Sequence, residues 1–311
     1  MKAVVIEQYG GREQLKERDV PKPVPKSNQV VMEIHATSIN PIDWKVREGL
    51  LTERVPLQFP IILGWDAAGV ITEVGSEVKN YQIGDRVFAR PATTDKGTYA
   101  EYTAVDEDLL ARIPENLTFV EAASIPLAAL TAWQCLVDFA NVQKDYKVLI
   151  HAGAGGVGSL GIQIAKHFGA YVATTASKEN HELLRSLGAD LVIDYKAVDF
   201  EQALEGYDIV VDTVGGQTLR KSYRVLKEGG KLVFVVEPPD EAEAQRHGVN
   251  TAFLWLNENG EQLQQLADLL KKEIVKPSVG HVLPFSEQGI KEAHAISESH
   301  HAKGKIVIKM K

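Results

Sequence analysis

The spacing of apolar positions changes character twice along the chain. Over the first third, short runs separated by turns predict strands. They are Met1–Ile6, Val30–Ala36, Ala67–Val74 and Asp85–Ala89, with Gly10-Gly11 and Ile83-Gly84-Asp85 among the turns. Pro21–Pro25 holds the chain extended. From Glu121 to Phe139 the pattern becomes helical, interrupted at Pro126. From Lys147 strands and helices alternate. Strands are predicted at Lys147–Ala152, Ala170–Ala176, Asp190–Asp194, Ile209–Asp212 and Gly230–Val235. Between them fall the start of a helix at Leu160, then helices at Glu179–Leu187, Phe200–Leu204 and Leu219–Leu226. Alternation of this kind builds a doubly wound parallel sheet. Helix Gly260–Glu273 carries Leu263, Leu266, Leu269 and Leu270 at helical spacing, a core or interface stripe. Gly304–Ile308 reads as a closing strand. The expected organisation is an α/β protein with a discontinuous β-rich domain, residues 1–121 and 275–311, around a nucleotide-binding domain at 122–274.

The strand at Lys147–Ala152 runs into Gly153-Ala154-Gly155-Gly156-Val157-Gly158 and then into a helix start. A dinucleotide fold requires that order. One glycine makes the tight turn, the next lets the backbone approach a pyrophosphate, and the third lets helix and strand pack closely. The helix amino end then offers unpaired N–H groups to phosphate. Which dinucleotide follows from the next strand end. A site for NAD places an acid about 20 residues past the glycines, where it binds the ribose 2′-hydroxyl. Ala176 and Ser177 stand there, with Lys178 beside them. A hydroxyl and an ammonium suit a 2′-phosphate through charge-assisted hydrogen bonds, so NADPH is the expected cofactor. Ser177 as a helix N-cap explains the serine and leaves the missing acid unexplained.

Composition narrows the classes further. A net charge of −8 without a basic stretch provides no nucleic-acid footprint. Cys135 is the single cysteine, which excludes an intrachain disulfide and a multi-cysteine zinc site. No apolar run approaches membrane-spanning length. The expectation is a soluble cytoplasmic protein with a small-molecule substrate, binding neither nucleic acid nor membrane.

Several stretches together resemble the medium-chain dehydrogenase/reductase superfamily over essentially the whole chain, above all its zinc-free quinone oxidoreductase branch. They are Asn40–Gly49, Gly64–Gly75, Gly84–Val87, Pro126–Ala132, the glycine turn, Asp212–Gly215 and Gly304–Val307. The resemblance implies a GroES-like catalytic domain, a Rossmann domain, and a homodimer or homotetramer. Zinc-dependent relatives have a cysteine and then Gly-His-Glu at two of these places. This chain has Ser38-Ile39-Asn40 and Gly64-Trp65-Asp66, so no catalytic metal is expected. The His300-His301 pair reads as exposed polar surface.

Without a Lewis acid the acceptor should be electron-poor, a quinone or an α,β-unsaturated carbonyl, reduced by hydride from NADPH. The alternative is an NADPH-binding protein of structural or sensory function. By resemblance, Asn40 and Asp43 flank the substrate, although Asx-turn chemistry around Pro41 and an Asp43–Arg47 pair explain them as well. Lys45 stands where many quinone-branch members have tyrosine, and is a candidate donor to a developing oxyanion. Thr131, Tyr195, Val214, Gly215, Phe234, Val235 and Lys305 are the further cofactor positions that the resemblance implies. Trp44, Trp65, Phe253 and Trp255 read either as pocket walls or as core.

Overall fold

The computed structural model describes residues 1–311. The chain forms two compact units, one of residues 1–127, 258–273 and 277–311, the other of residues 128–257 and 274–276.

The first unit is built around Gln29–Ile39, an 11-residue strand with three antiparallel partners: Ala67–Val74, Lys305–Lys309 and Tyr102–Asp106. Arg86–Ala89 and Leu110–Arg112 extend the sheet on one side, and Val279–Pro284 pairs in parallel with Lys305–Lys309 on the other. A smaller sheet joins Lys16–Asp19, Lys2–Ile6 and Ile61–Ile62. Register has a chemical consequence. Ile39 lies opposite Ile306, and Thr37 opposite Ala67. The residues just beyond these pairs, Asn40, Lys305 and Asp66, are thereby carried to one place.

The helix Pro41–Arg47 starts there because Asn40 is extended and Pro41 has the φ of a first helical residue. The Asp43 carboxylate, at the third helical position, accepts the Asn40 N–H at 2.8 Å. The Asn40 side chain does not complete the reciprocal cap, because it is drawn into a polar cluster described below. Around this point Val4, Ile6, Trp65, Tyr99, Ile290 and Ile306 share one apolar core. Each fully buried side chain of this kind stabilises by roughly 1.5–3 kcal/mol.

The second unit has six parallel strands. In spatial order they are Leu191–Asp194, Tyr171–Ala176, Lys147–Ile150, Tyr207–Asp212, Leu226–Phe234 and Asn250–Phe253. Numbered along the chain this is the order 3-2-1-4-5-6 of a Rossmann sheet, and it is parallel and doubly wound as the alternation predicted. Asn250–Phe253 was not legible from periodicity, being a four-residue edge strand with no buried side chain. The helix around Pro126 divides as expected, into Phe119–Ala123 and Pro126–Trp133, with a π-helical turn at Gln134–Phe139.

The unit boundaries differ from the sequence-based division: the first stretch runs to 127 in place of 121, and residues 258–273 join it. Helix Gly260–Lys271 belongs with the first unit, not with the nucleotide-binding one. Its leucine stripe is core, but the contacts that fix its place are polar. Arg112 N–H donates to Gln264 Oε1, and Asn116 Nδ2 to the Leu270 carbonyl, both at 3.1 Å. At the helix start, a Cβ on Gly260 would meet the carbonyl oxygens of Asp108 and Leu110. Alanine normally stabilises a helix relative to glycine by up to about 1 kcal/mol. Gly260→Ala should do the reverse, lowering stability by about 1–3 kcal/mol in urea denaturation, because backbone oxygens cannot move aside. An unchanged or raised midpoint would contradict this packing.

Candidate active site

Each unit contains its own polar construction. In the first, Asp66 lies at the amino end of the strand Ala67–Val74 and is fully buried. Its Oδ2 accepts from Ser38 Oγ and Asn40 Nδ2, each at 2.7 Å, and its Oδ1 from Leu127 N–H at 2.8 Å. Lys305 is 5% exposed, and its ammonium donates to Asn40 Oδ1 at 2.5 Å and to the Ile39 carbonyl at 3.0 Å. It also forms an ion pair with Asp66 Oδ2 at 3.4 Å. Burial lowers the Lys305 pKa, opposed by the carboxylates of Asp66 and Asp43. Lys305, expected to reach a cofactor phosphate or ribose, is instead enclosed in this cluster, with its donors already engaged.

Asp43 sits one turn away, with no exposed surface. Burial pushes its carboxyl up to about 7, although the Asn40 N–H and the Tyr99 hydroxyl both favour the charged form. The Asp43–Arg47 pair read from i,i+4 spacing does not form. Arg47 instead bonds His294, Glu298, Glu48 and the Gly10 carbonyl. Lys45, in the same helix, is half-buried; burial lowers its pKa, and its ammonium lies 5.8 Å from the centre of the Trp44 ring. No carboxylate forms an ion pair with it. Trp65 is wholly buried, with its indole N–H on the Thr94 carbonyl, and is therefore core and not a pocket wall.

The second unit carries the glycine turn. Gly153 and Gly158 admit no side chain. A Cβ on the first would strike Thr174 Oγ1, and on the second the Ala152 carbonyl and Gly153 Cα. Gly155 caps helix Gly156–His167 without a side-chain acceptor, so the amides of Gly156, Val157 and Gly158 have no partner within the helix. Ala154, at 9% exposure, lies within the turn. Ala152, just before it, has a left-handed φ of 53°.

A buried histidine braces that residue. The Ser222 hydroxyl donates to the Thr218 carbonyl at 2.7 Å, so His151 Nε2–H donates to Ser222 at 3.0 Å. His151 Nδ1 then accepts from the Thr175 hydroxyl at 3.0 Å, and that oxygen accepts the Ala152 N–H at 3.3 Å. Burial lowers the His151 pKa to about 3, which keeps the ring neutral.

The remaining expected cofactor positions fall into two sets. Thr131 is buried in helix Pro126–Trp133. Ser177 follows strand Tyr171–Ala176, and its hydroxyl accepts from Asn180 Nδ2 at 3.0 Å; Lys178 is exposed. A hydrogen bond from Ser177 lowers the pKa of Glu179, an acid that the strand-end reading did not weigh. Tyr195 and Val214 are about half exposed, each just past the carboxyl end of a strand. Asp212 Oδ1 holds Val214 N–H and Gly215 N–H at 2.6 and 2.9 Å. Phe234 and Val235 end their strand, where the Phe234 carbonyl accepts from Leu254 N–H at 2.8 Å and Val235 N–H donates to the Asp212 carbonyl at 3.3 Å.

Residues 26–115 match the family model for the alcohol dehydrogenase GroES-like domain, and residues 187–308 that for the zinc-binding dehydrogenases. The chain is 40% identical to a chloroplastic NADPH-dependent alkenal/one oxidoreductase of Arabidopsis thaliana, over 99% of this chain and 79% of the relative. It is 41% identical, with the same coverage, to a 2-methylene-furan-3-one reductase of Solanum lycopersicum. The chain belongs to the medium-chain dehydrogenase/reductase superfamily. Within it, the branch is that of the quinone and alkenal/one oxidoreductases. A solved quinone oxidoreductase from Coxiella burnetii superposes with a TM-score of 0.93 at 37% identity, covering 100% of this chain and 99% of that one.

The family raises the question of zinc, and the residues present do not fit it. Where zinc-dependent members have a cysteine and a histidine, this chain has the stretch Ser38-Ile39-Asn40, which holds no cysteine, and Trp65. The neighbouring Asp66 carboxylate is saturated by four donors, one of them an ammonium. No three His, Cys, Asp or Glu side chains are grouped to hold an ion. NADPH does fit. The side-chain-free glycine turn opens a helix whose first amides have no partner within it, and the Ser177-Lys178 step offers a hydroxyl and a cation.

Replacing Lys305 by methionine leaves the buried Asp66 and Asn40 Oδ1 without their cation. It should cost about 3–5 kcal/mol of stability. Adding Asp66→Asn should recover most of that loss, and a strictly additive double mutant in urea would refute the coupling.

Asp43 makes a pH prediction. Its folded value of about 7 exceeds the ordinary carboxyl value, so its favourable contribution is complete below about pH 4 and is lost as pH rises through 7. His151 and His294, both near 3 when folded, act oppositely: their contribution is present above about 6.5 and lost as pH falls. The stability of the wild type relative to Asp43→Asn should therefore decline between pH 4 and 7. A gap independent of pH would disprove the raised value.

Proposed function

We propose that the chain is an NADPH-dependent, zinc-independent reductase that delivers hydride to α,β-unsaturated carbonyls or quinones. The observation that carries this reading is the closed Asp66–Lys305–Asn40 cluster, which stands where a zinc alcohol dehydrogenase needs thiolate and imidazole. Without a metal to stabilise an alkoxide, the acceptor must delocalise the incoming electron pair itself. The two plant relatives, whose names specify an alkenal/one oxidoreductase and a furanone reductase, support the enone half of the reading.

Bound NADPH supplies the hydride. For an enone, the β-carbon accepts it, the π pair moves to the carbonyl oxygen, and a proton from water ends on the α-carbon. The chain's own contribution is to bind, orient and stabilise. The amides of Gly156, Val157 and Gly158 take the pyrophosphate at the helix amino end. Ser177 and Lys178 take the 2′-phosphate, and Thr131, Tyr195, Val214 and Gly215 line the cofactor. Asn40, nearly fully buried, is held rigid on both sides of its amide by Asp66 and Lys305 and fixes the start of the helix that carries Lys45 beside the substrate. Lys45, half-buried without a carboxylate, donates to the enolate or quinolate oxygen as charge develops.

Saturable NADPH oxidation is expected with 1,4-benzoquinone, 9,10-phenanthrenequinone or a simple enone, the organic product being a hydroquinone or a saturated ketone. Lys45→Met should lower kcat by about 10²–10³-fold. Lys178→Ala should raise the KM for NADPH by about ten- to a hundredfold and leave that for NADH unchanged. NADPH binding without turnover of any acceptor would replace the enzyme reading by a structural or sensory one.

A further inference from the structure

Helix Glu287–Glu298 contributes one side chain, His294, to a buried hydrogen-bonded chain that ends on Asp43. The direction of every bond in it can be assigned. A guanidinium only donates, so Arg47 Nη1, 3.0 Å from His294 Nδ1, makes that nitrogen the acceptor and leaves the ring proton on Nε2. His294 Nε2–H then donates to Tyr99 Oη at 3.1 Å. The Tyr99 hydroxyl, its oxygen thus engaged, donates to Asp43 Oδ2 at 2.7 Å. The same Oδ2 receives the Asn40 N–H. Arg47 is itself anchored by the Gly10 carbonyl at 3.0 Å, Glu298 at 2.7 Å and Glu48 at 2.5 Å.

Arg47, His294, Tyr99 and Asp43 all have zero exposure. Apolar side chains of similar volume would fill this space without the cost of removing four polar groups from water. The chain leaves the Asn40–Arg47 helix at Arg47 and returns to it at Asp43 by way of His294, 247 residues from Arg47 in sequence, so local folding of that segment does not require the detour. What it does is impose a single orientation on the Asp43 carboxyl, leaving Oδ1 buried and without a partner.

We propose that His294 is a positioning residue for the reaction: Arg47 fixes its tautomer, and it makes Tyr99 a one-way donor to Asp43, thereby setting the carboxyl that holds the Asn40 turn. The inference rests on the proposal that Asn40 and Asp43 serve the reductase site. The charged and titratable groups that act on Asp43 are Tyr99, Asp66 and Lys305, with Arg90 opposite and His294 and Arg47 behind Tyr99. Weakening the Tyr99 hydrogen bond removes a contact that favours the carboxylate. The Asp43 midpoint then moves to higher pH, whichever protonation state the reaction uses.

The test compares the full-length wild type with His294→Gln, His294→Leu and Tyr99→Phe. The Asp43 midpoint is read by carboxyl ¹³C NMR and, separately, from the pH profile of kcat/KM. Glutamine can accept from Arg47 through Oε1 and donate to Tyr99 through Nε2, so His294→Gln should keep the wild-type midpoint and kcat within about threefold. His294→Leu should raise the midpoint and lower kcat about tenfold, with the KM for NADPH unchanged. Tyr99→Phe, which deletes the donor itself, should raise the midpoint by about one pH unit.

If His294→Leu does not fold, the contrast between His294→Gln and Tyr99→Phe decides. Equal midpoints across the folded variants would overturn the proposal and leave His294 a core residue. Because the NMR titration needs no turnover, an inactive wild type would sink the reductase reading and still let the relay be judged on its own.

Discussion

Two buried carboxylates at one end of a strand pair govern the architecture of the first unit. Asp66 and Asp43 have no exposed surface, and an isolated charge in such a place would be prohibitive. The fold answers each in a different way. Asp66 receives a cation from the closing strand, two side-chain donors from the end of the central strand, and a backbone amide. Asp43 receives a backbone amide and one hydroxyl, and its remaining oxygen has nothing. A carboxylate satisfied by four donors and one satisfied by two should not behave alike. For Asp43, burial outweighs its two donors and raises its proton affinity.

The Asp66 cluster also explains how one scaffold serves both metal and metal-free chemistry. The register of three strands delivers residues 38, 66 and 305 to one point whatever their identity. With thiolate and imidazole among them such a point would hold zinc. With serine, aspartate and lysine it holds an ammonium as its resident cation. An ammonium bonded on three sides cannot open a coordination position for a substrate oxygen, so its function is to lock Asn40. The burden of stabilising developing negative charge moves to the acceptor and to any free donor, and Lys45 is the cation in this segment without a carboxylate partner.

The parts of this organisation that could be read from sequence were those with a local signature. The glycine turn, the alternation of strands and helices and the closing strand each depend on neighbours in the chain, and each formed as expected. The parts that could not be read join distant segments. Asp43 with Arg47 at i,i+4 looked like a helix-surface ion pair, but both side chains point inward and meet only through Tyr99 and His294. Lys305 looked like a solvent or cofactor cation because nothing near it in sequence is acidic; its partner lies 239 residues away. Helix Gly260–Lys271 follows the Rossmann alternation in the chain, yet its Gln264 side chain and Leu270 carbonyl accept from Arg112 and Asn116. A weak signal was present. Asp66 is a charged residue set in the otherwise apolar run Ile61–Val70, and such a residue has to find partners somewhere.

The second unit meets a related difficulty by other means. Its strands carry no buried ion pair near the glycine turn, but the backbone there adopts a left-handed alanine, a conformation costing on the order of 1 kcal/mol or more. His151 and Thr175 answer it. The neutral imidazole fixes the hydroxyl, the hydroxyl takes the Ala152 N–H, and the turn is held without placing a charge near the helix amides. A cationic histidine there would compete with those amides for an anion, so burial that keeps His151 neutral serves the same end as the glycines. In both units a histidine buried beyond protonation directs a hydroxyl, and in both the hydroxyl's target is the segment that has to keep one shape: the Asn40 turn in the first, and the phosphate turn in the second.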